Sequence, residues 1–262
     1  MDWGMKNRMC RIFKPETGRT VMFAVDHGYF LGPTSGLERP GETVEKLLPH
    51  ADSLMLTRGV LRNCIPSTSN VPIVMRMSGG TSVLTELSQE GLTMSVEDAI
   101  RLNASAITLS VFVGEEGERT TLLNLGKLVD EGERYGMPVL AVTAVGKSMQ
   151  RDARYLGLAC RICAELGAHM VKTYYVEGFE KMVRDTPVPI VVAGGKKIAE
   201  RDALTLAHNA IESGACGVDM GRNIFQSDSP VGMVRAIRGV VQENMSVDAA
   251  FDLYRSVKDG EG

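Results

Sequence analysis

One lysine stands in the middle of an otherwise apolar and aromatic run, Gly167-Ala-His-Met-Val-Lys-Thr-Tyr-Tyr-Val-Glu177. The run has the make-up of a buried strand. Alternation puts Met170, Lys172 and Tyr174 on one face and His169, Val171 and Thr173 on the other. An ammonium group is rarely buried alone, because losing its water is costly enough to drive the proton off. The neutral amine is a nucleophile toward carbonyl carbon, which makes Lys172 the candidate Schiff-base former. Two plainer roles compete: a lysine whose head reaches solvent at the strand end, and a simple phosphate-pairing cation.

Such an amine needs a proton-handling group and something to hold its substrate. The apolar run Val21-Met-Phe-Ala-Val25 ends in Asp26-His27-Gly28, and alternation puts Asp26 on the face of Met22 and Ala24. Asp26 is therefore the candidate acid/base carboxylate, against the plainer roles of helix N-cap or salt-bridge partner. Other run ends carry Arg58, Arg76, Thr143 with Lys147 nearby, and Tyr174. Gly194-Gly195 and Gly221-Arg222 follow the last two runs. Bare backbone there can approach an anion closely, and the guanidinium adds charge, so these two loops are the expected phosphate site. The substrate expected from this set is a small phosphorylated carbonyl compound, with His27, Arg58, Lys147, Tyr174, Gly194, Gly195, Gly221 and Arg222 as its contacts.

Short apolar runs suited to strands buried on both faces begin near 21, 53, 72, 106, 138, 169, 189 and 216. Between most of them lie helical patterns. Ala153–Leu166 and Ala203–Ser213 each end at a glycine, Ser95 offers an N-cap, and Ser246 starts a last helix. Eight strand–helix alternations in 262 residues predict a single (β/α)8 barrel over 1–262, with 1–20 as a lead-in and 246–262 as a closing helix. In such a barrel the strand ends named above converge on one mouth. A doubly wound open sheet is the second choice, but Asp26-His27-Gly28-Tyr29 is not its glycine fingerprint. The repeated Val-Pro-Ile-Val at 71–74 and 188–191 suggests doubled halves, with Met55 opposite Lys172 and Asp26 opposite Thr143.

A net charge of -3 gives no electrostatic case for nucleic acid or an anionic membrane as partner. Five cysteines suit free thiols in a reducing compartment, and the first eight residues lack a signal peptide's apolar core, so the cytoplasm is expected. Four histidines without HxH or HxxxH spacing make a metal site unexpected. Cys160-Arg-Ile-Cys163, with no second CxxC, is expected to be packed thiols on one helix face.

At Asp26-His27-Gly28, Lys172-Thr173-Tyr174, Ala193-Gly194-Gly195 and Gly221-Arg222-Asn223-Ile224-Phe225-Gln226, the chain resembles the class I, Schiff-base aldolases of archaeal type, the group that includes deoxyribose-phosphate aldolase. The resemblance spans nearly the whole length. It implies a (β/α)8 barrel, Lys172 as iminium lysine, Asp26 as acid/base group, phosphate held by Gly194, Gly195, Gly221 and Arg222, and a homo-oligomer. Met1–Arg8, Asp26–Phe30, Leu37–Arg39, Thr85–Ser88 and Val145–Lys147 are similar to a thiolase branch of that group. Membership of that branch implies coenzyme A as co-substrate, receiving an acetyl group from a phosphorylated diketone, and no bound cofactor. Where the ordinary aldolases carry a tyrosine acid/base followed by Pro-Arg-Gly, this chain has Thr143-Ala-Val-Gly146, which leaves the poorer proton donor Thr143 in the phenol's place. The alternatives are an aldolase or transaldolase-like synthase on sugar phosphates, a metal-dependent lyase, and a non-catalytic sugar-phosphate-binding barrel.

Overall fold

A computed structural model describes residues 1–145 and 151–260. Eight strands, β1 (Thr20–Ala24), β2 (Ser53–Leu56), β3 (Ile73–Arg76), β4 (Ala106–Val113), β5 (Val139–Val145), β6 (Met170–Tyr174), β7 (Ile190–Ala193) and β8 (Gly217–Met220), form a closed parallel barrel. Each pairs with its neighbours in sequence, and β1 closes on β8 with Val21 beside Val218. The chain is thus a (β/α)8 barrel. Its strands are short apolar runs because helices cover one face and the barrel interior buries the other.

The lower interior is filled by Met22, Met55, Val74, Ala106, Leu140, Met170 and Val191. Ile12 and Phe13 join them from the end of the first helix, Trp3–Ile12, which is capped by Asp2. The lead-in therefore plugs the N-terminal end of the barrel. Only the opposite end, where the strands finish, is open for chemistry. Outside, helices such as Glu118–Tyr135, Ala153–Glu165, Glu200–Glu212 and Pro230–Glu243 pack over the strands. Gly167 and Gly214 follow two of these helices with positive φ, as expected of helix-ending glycines.

Two features escape periodicity. A two-stranded antiparallel hairpin, Ser78–Gly79 with Gly91–Leu92, lies beyond β3, too short to show any pattern. Strands β4 and β5 also continue two residues past their apolar runs and pair as far as Val113 with Val145. The suggested doubling holds only in part. Val-Pro-Ile-Val falls on β3 and β7, and Met55 and Lys172 are both cavity-facing positions. But Met22 and Ala24 face inward on β1, whereas Leu140 and Val142 do so on β5, one residue out of phase. Among the described residues no helix is long and apolar enough to cross a membrane.

Barrel closure depends on a glycine. Gly217 opens β8 at φ +135°, and a Cβ there would lie 2.1 Å from the Thr20 carbonyl oxygen. Gly217→Ala is expected to destabilise the protein by about 1–3 kcal/mol from backbone strain alone. Urea unfolding checks this: the midpoint should fall at unchanged slope, and an unmoved midpoint would mean that β1 and β8 tolerate a side chain at their seam.

Candidate active site

Above the apolar layers the interior turns polar. Lys172, on β6, is buried and points inward, and its Nζ lies 2.8 Å from Oδ2 of Asp219 on β8. Asp26, just past β1, is held by Arg76 of β3, whose Nε and Nη2 donate to the same oxygen, Oδ2, at 2.9 and 2.7 Å. Both partners of each pair come from alternate strands, as the layered packing of a barrel interior requires. Arg76 Nη1 also donates to Ser110 Oγ at 3.0 Å, and its guanidinium stands 5.1 Å from the centre of the Tyr29 ring. The Tyr29 hydroxyl in turn donates to Glu90 at 2.6 Å, and Ser78 donates to the other Glu90 oxygen at 2.5 Å. This chain of bonds ties the hairpin beyond β3 to the barrel mouth.

The two carboxylates sit in opposite electrostatic states. Burial opposes the charge on Asp26, but Arg76, His27 and Lys172 together outweigh it and hold the group below the ordinary carboxylate range. Burial pushes Asp219 upward, and the nearby Lys172 ammonium offsets only part of that rise. Burial lowers His27 to about 4; Asp26 opposes the shift, while Lys172, Arg222 and Arg76 add to it. His27 is therefore a neutral imidazole at pH 7. Burial also raises the Tyr29 phenol well above its usual value, so it serves as a hydrogen-bond donor rather than an anion.

Gly194, Gly195, Gly221 and Arg222 line the same cavity as Lys172, a space of about 290 Å³. Gly221 is required by close approach: a Cβ there would lie 2.4 Å from His27 Cε1 and 2.5 Å from the Ala24 carbonyl oxygen. Asn223 fastens the two loops together, donating to the Gly194 carbonyl at 2.7 Å and accepting from the Ile198 N–H at 2.9 Å. Buried side-chain atoms without a hydrogen-bond partner gather here. Among the described residues they include His27 Nδ1, Asp219 Oδ1 and Arg222 Nε, with Ser105 and Thr108 elsewhere; Asp219 Oδ2 meets only the Lys172 amine. Unpaired buried polar groups cost about 1–3 kcal/mol each, so their concentration in one cavity marks a place built to meet a polar ligand.

The structure brings Lys172, Asp26, Thr143, His27, Tyr174, Gly194, Gly195, Gly221 and Arg222 to this cavity, and it places two groups otherwise than expected. Thr143 lines the cavity, but its hydroxyl is engaged within the strand wall. That hydroxyl is buried against the Thr173 hydroxyl at 2.9 Å and the Lys172 carbonyl at 3.2 Å, and strand alternation gives the inward positions of β5 to Val142, beside Lys172, and to Ala144. Arg58 opens the helix Arg58–Cys64 and reaches outward to Asp98 at 3.3 Å, an acid it shares with Arg62 and Arg101. It lines a neighbouring pocket with Gly79 and Gly80, not the lysine's cavity. Lys147 lies outside the described residues. Cys160 and Cys163 are packed thiols, Cys160 pushed up to about 12 by burial, and His169 faces Glu133 on the helix side.

Three charged lining residues were not singled out beforehand: Asp219, Arg151 and Glu90. Arg151 stacks over the Tyr174 ring at 4.1 Å and adds a cation to the rim. The signal for Asp219 was available, since an acid inside the apolar strand Gly217–Met220 demands an internal partner. Arg151 and Glu90 sit in irregular chain whose course no pattern gives. A larger cleft of about 1290 Å³ runs along the outer wall between the helices Ala153–Glu165 and Phe179–Asp185. Its Arg161 and Lys181 are already paired, with Glu165 and Asp185, and it lies away from the strand ends.

A closed parallel barrel with a buried lysine and two glycine-rich loops at its mouth defines an enzyme of aldolase type. The chain belongs to the DeoC/LacD family aldolases, whose family model matches residues 20–227. It is 54% identical over 259 residues to 3-hydroxy-5-phosphonooxypentane-2,4-dione thiolase of Photorhabdus laumondii, covering 98% of this chain and 89% of that protein. The protein of that name from Escherichia coli K12 is 55% identical over the same share of both chains. Among solved structures, an archaeal fructose-1,6-bisphosphate aldolase with its catalytic lysine covalently bound to the carbinolamine intermediate matches with TM-score 0.81. It is 25% identical and covers 90% of this chain and 99% of that one.

The Asp26–Arg76 pair generates a test. Because the folded pKa of Asp26 lies below its unfolded value, the pair contributes its full stability above about pH 4 and loses it as pH falls through the folded pKa. Arg76→Met strands a buried carboxylate and is expected to cost about 3–5 kcal/mol at pH 7. The deficit should shrink in acid, where that carboxylate is protonated. Urea melts at neutral and acid pH measure it, and an equal deficit at both would rule out the ion pair as its source.

Proposed function

We propose that this chain is a Schiff-base acyltransferase that cleaves 3-hydroxy-5-phosphonooxypentane-2,4-dione, transferring acetyl to coenzyme A and releasing dihydroxyacetone phosphate. The observation that carries the proposal is the shared cavity of Lys172 and the Gly194-Gly195 and Gly221-Arg222 loops. A carbonyl two bonds from a phosphoester can reach the amine while the phosphate is held. The extent of the likeness to the thiolases supports this substrate over a sugar bisphosphate.

In its neutral form Lys172 condenses with the carbonyl beside the phosphorylated carbon, and water leaves. The resulting iminium is an electron sink. The thiolate of coenzyme A adds to the acetyl carbonyl, and the tetrahedral adduct collapses. The bond between the acetyl carbon and the hydroxyl-bearing carbon breaks, its electron pair forming an enamine on Lys172. Acetyl leaves on sulfur. Protonation of the enamine carbon and hydrolysis then return dihydroxyacetone phosphate and the free amine. Aldol cleavage needs a base for a substrate hydroxyl, whereas a thiol ionises far more readily. The aliphatic inward positions of β5, Val142 and Ala144, suit the thiol route. Arg222 and the loop N–H groups hold the phosphate, and neutral His27 can share a hydrogen bond with it. The proposal includes a homo-oligomer and the cytoplasm, where coenzyme A and the five unpaired cysteines are at home.

Incubation with the diketone phosphate, followed by mass spectrometry of protein and products, tests this. Acetyl-coenzyme A and dihydroxyacetone phosphate are expected only when coenzyme A is present. Borohydride should add mass at Lys172, and Lys172→Ala should abolish turnover without unfolding the barrel. Carbon–carbon cleavage without coenzyme A would make the protein an aldolase, and a trapped adduct on another lysine would remove Lys172 from its role.

A further inference from the structure

Among the described residues Asp219 is the one carboxylate in direct contact with the amine, its Oδ2 lying 2.8 Å from Nζ, while its Oδ1 has no hydrogen-bond partner. Asp26 is differently placed. Its Oδ2 already accepts two bonds from the Arg76 guanidinium, and its Oδ1 lies 3.9 Å from His27 Nδ1. A carboxylate clamped in that way is a poor place to park a proton, because protonation would break a buried ion pair. Resting on the Schiff-base chemistry above, we propose that Asp219 is the residue that takes and returns the lysine's protons, and that Asp26 is a fixed anion that only holds Arg76.

The environment favours a shared proton. Asp219 is 1% exposed and faces charged groups from three elements: Lys172 on β6, Asp26 beyond β1 and Arg76 on β3. Arg76 is neutralised by Asp26, which itself repels a second negative charge. Moving one proton from Nζ to Oδ2 removes both charges of the Lys172–Asp219 pair at once, which a site with little water rewards. The upward push of burial on Asp219 points the same way.

The steps balance. The Lys172 ammonium passes a proton to Asp219, and the freed pair on Nζ bonds to the substrate carbon as the carbonyl pair moves onto oxygen. Asp219 returns the proton to that oxygen, giving a hydroxyl, and takes a second proton from the nitrogen. The nitrogen pair then forms the C=N bond, the C–O bond breaks, and the proton on Asp219 leaves with the hydroxyl as water. Asp219 ends ionised beside a protonated iminium, as it began beside an ammonium. Enamine protonation and imine hydrolysis run through the same carboxylate.

Rapid-quench borohydride trapping with dihydroxyacetone phosphate tests the assignment. Asp219→Asn keeps the size and an acceptor but cannot carry the proton. Adduct formation on Lys172 should slow by about 100-fold or more, with affinity for inorganic phosphate unchanged, and Asp219→Glu should restore part of the rate. If Asp219 served only to hold the ammonium charged, Asp219→Asn would trap faster at pH 7, and an equal or faster rate overturns the proposal. So does a greater slowing in Asp26→Asn than in Asp219→Asn. Normal trapping in Asp219→Asn would leave the Schiff-base chemistry standing, whereas no adduct on Lys172 in the unaltered protein would remove both.

Discussion

Two ion pairs, Asp26 with Arg76 and Lys172 with Asp219, sit inside a closed wall of strands, and none of the four residues is more than 8% exposed. Charges in such a place persist only where partners meet them, and the partners come from β1, β3, β6 and β8 or the turn just beyond. The barrel must therefore close, and close in register, before any of these side chains is tolerable. The lower interior makes that possible. Methionines and aliphatic residues, with Ile12 and Phe13 as a plug, supply the burial that offsets the cost of the polar end.

The pairs are not equivalent. Arg76 is a rigid fork with three of its nitrogens engaged, on Asp26 and Ser110, and it stands over the Tyr29 ring. Such a group holds geometry and resists change of protonation. The Lys172–Asp219 pair has a single point contact and unused hydrogen-bonding capacity on the acid. One pair is scaffolding for the mouth and the other is free to exchange a proton. The same contrast appears in the loops, where Asn223 fixes the backbone while Arg222 Nε and His27 Nδ1 are left without protein partners.

Much of this could be read from the chain. Short apolar runs ending in chemistry-bearing residues put Asp26, Lys172, Gly194, Gly195, Gly221 and Arg222 at strand ends, and the eightfold alternation brought those ends together. Thr143 shows where that logic fails. A strand buried on both faces has no polar side to reveal its phase, and β5 runs one residue out of step with β1, so the Thr143 hydroxyl bonds to Thr173 within the wall rather than facing the amine. Arg58 fails for another reason. A long side chain at a helix start can reach in several directions, and an acid on a neighbouring helix, Asp98, decided its course.

By itself the sequence determined the architecture, the buried amine and the two glycine-rich loops, because hydrophobic periodicity, an apolar strand around one lysine and bare backbone are local properties. Only the tertiary structure decided which acid serves that amine. Asp26 and Asp219 both sit at or near the ends of apolar runs and look alike in one dimension. Their roles separate because closure of the barrel delivers Arg76 to the first and Lys172 to the second, and no local pattern records which long-range partner a buried charge will meet.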